Sequence, residues 1–199
     1  MLARFMGGTP LSAIEIEMQL IPSFKPRVGG TFRNREIYVS ATSIPYEELL
    51  RLFIKEIQLR VFAARIEKLL RESEENPMFF RNAEHRRRFQ CVRKSGLFPL
   101  VNLSEAYAAA VFLLTSDAFL WKQSKDCIDQ SSIRFKDIRI HGVDLDGYAI
   151  FHTSKDLYQG TNHIAISELS DPELIDDKLL RLIINAFLIR RHGITVIRS

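Results

Sequence analysis

The stretch "SIPYEELLRLFIKEIQLRVFAARIEKLLRESEEN", residues 43–76, constrains the fold more than any other part of the chain. Leu50, Ile54, Ile57, Val61 and Ala64 recur at three- and four-residue spacing. Leu52, Leu59, Phe62, Ile66 and Leu69 make a second stripe. Residues so spaced share a helix face, and a helix apolar on two sides is covered on two sides. The pattern therefore predicts one long central helix with Ile57 and Val61 buried at its middle. Ser43 and Pro45 suit its start, because proline's fixed φ fits a first turn. Glu47 and Glu48 suit the positive end of the helix dipole, and Asn76-Pro77 ends the run.

Other helices follow from local signals. Residues 82–94 form one, stopped by Gly96. "SEAYAAAVFLLTSDAFLWKQSKDCI", residues 104–128, is one long helix or two meeting near Ser116-Asp117, with Ser116 as N-cap of the second. "GYAIFHTSKDLYQG" reads as a helix closed by Gly160. The last helix has signals at both ends. Ser170-x-x-Glu173 is a capping box, Pro172 fits a first turn, Arg190, Arg191 and His192 fill the last turn, and Gly193 follows. Ile133, Phe135, Ile138 and Ile140 suggest an extended loop or a small strand. Residues 1–42 hold two Gly-Gly pairs and three prolines, which favours an irregular arm. Within it, 11–21 reads as a short helix or a strand, and 35–41 as a short strand. The fold class is thus mainly α: a compact domain of six or seven helices over 43–199, with an irregular N-terminal arm over 1–42 and at most a small strand pair.

The composition is that of a globular chain, 46% hydrophobic and 26% charged over 199 residues. No apolar run reaches the roughly 18 residues a bilayer span needs. Acids at Glu15 and Glu17 interrupt the only leader-like stretch, so no signal peptide is expected. Cys91 and Cys127 form no C-x-x-C, and two free thiols in a reducing cytoplasm are the expected state.

The charge is local. Residues 77–99 carry six Lys/Arg against one Glu, whereas the whole chain nets +4. Arg81, Arg86, Arg87, Arg88, Arg93 and Lys94 are the cations concerned. Arg81, Arg88 and one of Arg86 or Arg87 are expected to share the face opposite Phe89 and Val92, joined by Arg93 or Lys94. Guanidinium groups contact phosphate bidentately, and each neutralised phosphate releases counterion. A plain solvated helix face is the competing reading.

Catalytic motifs are lacking. There is no G-x-S-x-G, S-x-x-K or phosphate loop, and no zinc-binding spacing. His85, His141, His152, His163 and His192 are scattered. His141, Asp144 and Asp146 in "HGVDLDG" come nearest to a metal site, but the EF-hand template fails there, and a turn with an N-cap Asp is the preferred reading. Cys91 and Cys127 read as small apolar residues of helices. No cofactor or catalytic role is expected.

The stretches "RFMGGTPLSAIEIEMQLIPSFKPR", "NPMFFRNAEHRRRF", "DGYAIFHTSKDLYQG" and "ISELSDPELIDDKLLRLIINAFLIRRHG" together resemble uncharacterised proteins of gut Firmicutes. Those are carried on integrative and conjugative elements or related mobile DNA. The resemblance implies a bacterial cytoplasm and a mobile element that handles DNA or resists host defence. It assigns no catalytic residue. Two partners are therefore expected: the backbone of DNA or RNA, or an acidic protein, the latter in an inhibitor or regulator of a host-defence nuclease. No membrane partner is expected.

Overall fold

The computed structural model describes residues 45–72, 80–94, 104–130 and 132–194. The expected arm, residues 1–42, lies outside them, as do Asn76-Pro77 and Gly96. Among the described residues there are eight α-helices and no strand. They are α1 (Tyr46–Glu56), α2 (Arg60–Glu72), α3 (Ala83–Lys94), α4 (Glu105–Leu114), α5 (Ala118–Ser124), α6 (Leu145–Gln159), α7 (Ile166–Ser170) and α8 (Asp177–His192). Two 3-10 turns, Lys125–Cys127 and Phe135–Asp137, join α5 to α6. The mainly helical reading holds. Among the described residues the possible strand near 133–140 reduces to a single antiparallel bridge, Ile128 to Ile133; the expected strand over 35–41 lies outside them.

The centre is α4. Every residue from Ala106 to Leu114 is buried. Alanines at 106 and 108–110 let neighbouring backbones approach, and α6 and α8 pack on it more extensively than any other pair of elements packs. A helix apolar all round must be enclosed. The second wall, α8, buries nine of its residues, from Leu179 to Ile189.

Residues 43–76 are not one central helix. The chain leaves helical geometry at Ile57, with φ −81° and ψ 119°, and restarts at Arg60. The two apolar stripes explain the break. Leu50 and Phe62 are twelve residues apart, so in one continuous helix their faces would differ by roughly a third of a turn. Breaking the helix lets each half turn its own stripe inward. α1 buries Tyr46, Leu49 and Leu50, and α2 buries Phe62, Ile66, Leu69 and Leu70. The residues at the seam lose burial: Val61 is 64% exposed, and Ile57 is only partly buried. The expectation that both were core residues is overturned.

Other caps sit near their predicted places with two shifts. Residues 104–128 form two helices, but the N-cap of α5 is Asp117, whose Oδ1 accepts from Leu120 N at 2.8 Å. Ser116 instead donates back to Leu113 O. The Ser170-Glu173 box does not form, because Ser170 ends α7 and α8 starts only at Asp177, capped by Asp176. Glu168 makes half of such a box, accepting from Ala165 N at 2.7 Å. Gly160 closes α6 in the left-handed conformation, φ 70° and ψ 26°, whereas Gly193 follows α8 with φ 83° and an extended ψ of 174°, a positive-φ position that also favours glycine.

A buried cation ties the walls together. Arg65 on α2 donates to Leu169 O at 3.0 Å, to Ile175 O, and to Asp177 Oδ1 at 3.1 and 3.2 Å. It fastens α2 to α7 and to the first turn of α8, where Lys68 also reaches Asp177 at 2.8 Å. These two cations hold the Asp177 carboxyl below its ordinary range, with Lys68 the larger influence.

Candidate functional site

α3 carries the predicted basic patch. Asn82 starts it, its Oδ1 accepting from His85 N at 2.8 Å. His85, Arg88, Phe89 and Val92 stand at i, i+3, i+4 and i+7, and this stripe faces the body. Phe89 and His85 are fully buried against Phe80 and Phe112.

His85 is an internal connector. Its Nδ1 accepts from Arg81 N at 3.0 Å, which places the ring proton on Nε2. Nε2 then donates to Phe112 O at 2.9 Å. Burial, opposed by the Phe112 hydrogen bond and helped by Arg88 and Arg81, pushes the His85 pKa down to about 3. The ring is neutral at physiological pH.

The six cations divide. Arg88 turns inward: Nε donates to Thr115 O at 2.7 Å and Nη2 to Ser116 O at 3.3 Å. It thereby satisfies carbonyls left without a helical partner just past the end of α4. The expected grouping of Arg88 with the outward cations is corrected, because Arg88 shares the His85–Phe89 stripe. Arg81, ahead of α3, pairs with Asp146 on α6 at 2.9 Å. Arg86, Arg87, Arg93 and Lys94 are exposed. Positions 86 and 93, like 87 and 94, lie two turns apart, about 10 Å along the axis. The four form two short parallel rows, with Glu84 paired to Arg87 at 3.1 Å. Cys91 is exposed on this helix rather than packed as an apolar residue, while Cys127 is buried.

The internal role of Arg88 gives an expected result. Arg88→Ala leaves two carbonyls without their donor and should cost about 1.5 to 3 kcal/mol. Arg86→Ala should change stability by less than about 0.5 kcal/mol. Urea denaturation of both variants measures the contrast, and equal effects would contradict the division of roles.

The residues nearest to a metal site are otherwise engaged. Asp144 N-caps α6, accepting from Gly147 N at 2.8 Å, and Asp146 holds Arg81. His141 is exposed in the preceding turn. Among the described residues no group of three His, Cys, Asp or Glu side chains is arranged to hold a metal ion.

Two features escaped sequence reasoning. The first is a cleft of about 630 Å³ between the approach to α3, the start of α6 and the first two turns of α8. The second lies at the end of α6. Asp156 accepts from Thr161 Oγ1, His163 N, Ile164 N and His163 Nδ1, at 2.6 to 3.0 Å. Lys155 Nζ lies 3.4 Å from His163 Nε2, and His152 stacks on His163 at 5.0 Å. Four donors on one carboxylate fix the loop after α6, and these bonds hold the Asp156 pKa down against its burial. Neither feature has a sequence motif, since each joins side chains from separate turns or helices.

No described helix is long and apolar enough to cross a membrane. No family model, curated protein or solved structure matches the chain.

Proposed function

We propose that the protein is a non-enzymatic accessory protein of a mobile element that grips the phosphate backbone of nucleic acid through the outer face of α3. The observation that supports this reading most is the separation of roles on that helix. His85, Arg88, Phe89 and Val92 anchor it, while Arg86, Arg87, Arg93 and Lys94 face solvent from a fixed platform. A platform held by packing loses little backbone freedom on binding, so its cations project from fixed backbone positions. The exposed cations have no interleaved aromatic on which a base could stack, and the reading rests on contacts to phosphate, which position a backbone without specifying its sequence.

The test is a quadruple Arg86→Ala, Arg87→Ala, Arg93→Ala, Lys94→Ala variant. Exposed cations contribute little to stability, so its melting temperature should stay close to wild type. Its affinity for duplex DNA, single-stranded DNA or RNA at low salt should fall at least roughly tenfold, by a similar factor on unrelated sequences. Retained affinity would refute the grip.

A protein partner is the second reading, as in an inhibitor or regulator of a host-defence nuclease. It is favoured by Leu145 and Tyr148, one turn apart on α6 and 78% and 48% exposed. Loss of a stoichiometric protein partner in Leu145→Ser, with nucleic-acid binding absent in wild type, would favour it.

A further inference from the structure

We infer that the cleft beside α3 is a binding site for a phosphomonoester of about mononucleotide size, held at its dianionic end by Lys178 and Arg181.

The cleft has the volume of an ordinary small-ligand site, at about 630 Å³. Its walls mix charge with apolar surface: Arg81, Lys178 and Arg181 on one hand, Leu69, Phe80 and Leu182 on the other. Three aspartates also line it, so the formal charges of the lining cancel. Their commitments do not cancel. Asp146 is held by Arg81, Asp177 by Arg65 and Lys68, and Asp176 caps α8 by accepting from Leu179 N at 2.7 Å. Of the three cations Arg81 is paired, with Asp146. Among the described residues Lys178 and Arg181 make no ion pair; Arg181 keeps a long 3.5 Å contact to Leu69 O and an electrostatic interaction with the buried Tyr46 hydroxyl. Lys178 and Arg181 are three residues apart on α8, on one face of the helix.

Two uncommitted cations one turn apart call for a ligand with two charges in one place. A phosphomonoester carries close to two negative charges at pH 7 and offers three acceptor oxygens. A lone carboxylate can bridge two cations, as Asp177 bridges Arg65 and Lys68, but its single charge leaves one of the two unbalanced. Asn82, whose Oδ1 accepts from His85 N, also lines the cleft and carries an amide NH₂ as a further donor. Leu69, Phe80 and Leu182 leave apolar wall for the body of the ligand. That ligand is either a free nucleotide or the phosphorylated end of a strand, since both present the same group.

This inference does not depend on the α3 grip, and the experiment separates the two. Binding of AMP, of a 5′-phosphorylated decathymidylate and of its 5′-hydroxyl counterpart is measured by calorimetry. The proteins are wild type, Lys178→Ala/Arg181→Ala, the single charge reversal Lys178→Glu, and the quadruple α3 variant. Wild type should bind AMP, or prefer the phosphorylated strand to the hydroxyl strand at least fivefold. AMP binding marks a free nucleotide, and preference among strands alone marks a strand end. The double variant and Lys178→Glu should each weaken AMP binding at least tenfold, or bring the strand preference to near unity, while the quadruple α3 variant keeps the wild-type behaviour. Lys178 is exposed, so Lys178→Glu keeps the test valid should loss of Arg181 disturb folding. Failure to bind AMP together with equal binding of the two strands would overturn the inference. So would phosphate-dependent binding that Lys178→Glu leaves unchanged.

Discussion

Phe112→Ala should destabilise the protein by about 3 to 5 kcal/mol, the range for removing a fully buried aromatic ring. Phe112 is 0% exposed at the last turns of α4. Its ring centroid lies 4.6 Å from that of His85 and 5.7 Å from those of Phe80 and Phe89. The ring is thus the surface on which α3 is seated. Truncation leaves a cavity between two helices whose backbones are held by other contacts, so collapse into it is limited. Equilibrium denaturation measures the loss, with Val61→Ala as the surface control, expected within about 0.5 kcal/mol. A loss under about 1.5 kcal/mol for Phe112→Ala would mean that α3 rests loosely on the body.

Acid should act through His85. In the unfolded chain the ring takes its ordinary pKa, 6.5, and in the folded chain about 3. Above about pH 6.5 the ring is neutral in both states and contributes no pH dependence. Below that value the unfolded chain binds a proton that the folded chain refuses, so stability falls with pH. The slope approaches about 1.4 kcal/mol per pH unit until the folded ring itself protonates near pH 3. His152 and His192, also pushed down chiefly by burial, add to the same trend. His85→Gln keeps polar atoms at the site and removes the titration. Its stability should fall less steeply than wild type between pH 6.5 and 4.5, a window above most carboxylate titration. Parallel curves for the two proteins would show that His85 is not the acid-sensitive group.

The core was legible wherever one stripe served one helix. Gly160, Gly193 and the cationic last turn of α8 stand where their chemistry placed them. The unbroken apolar run from Ala106 to Leu114 carries no charge, and that alone marks α4 as the enclosed helix. The richer pattern of 43–76 drew attention away from it. Two stripes out of phase on one stretch signify either a helix covered twice or two helices covered once. Choosing between them depends on the phase, and the seam at Ile57-Gln58-Leu59 has neither proline nor glycine to mark it. Arg88 illustrates the same limit at the site. Its spacing from His85, Phe89 and Val92 put it on the buried stripe, but an arginine in a run of three reads first as charge. The carbonyls of Thr115 and Ser116 that hold it are 27 and 28 residues away, and no local pattern announces them. The cleft was illegible for the same reason, since α2, the approach to α3, α6 and α8 must assemble before it exists.

The outer face of α3 as a phosphate grip is tested most directly by the salt dependence of wild-type binding to a short mixed-sequence duplex. Arg86, Arg87, Arg93 and Lys94 are the four exposed cations of that face. If each neutralises a phosphate, log K against log salt should be linear with a slope of roughly −3 to −4. A second duplex of unrelated sequence should give the same line. A slope near zero, or no binding to duplex, single strand or RNA at 50 mM salt and protein concentrations of about 100 μM, well within the range of ordinary non-specific affinity, would contradict the account.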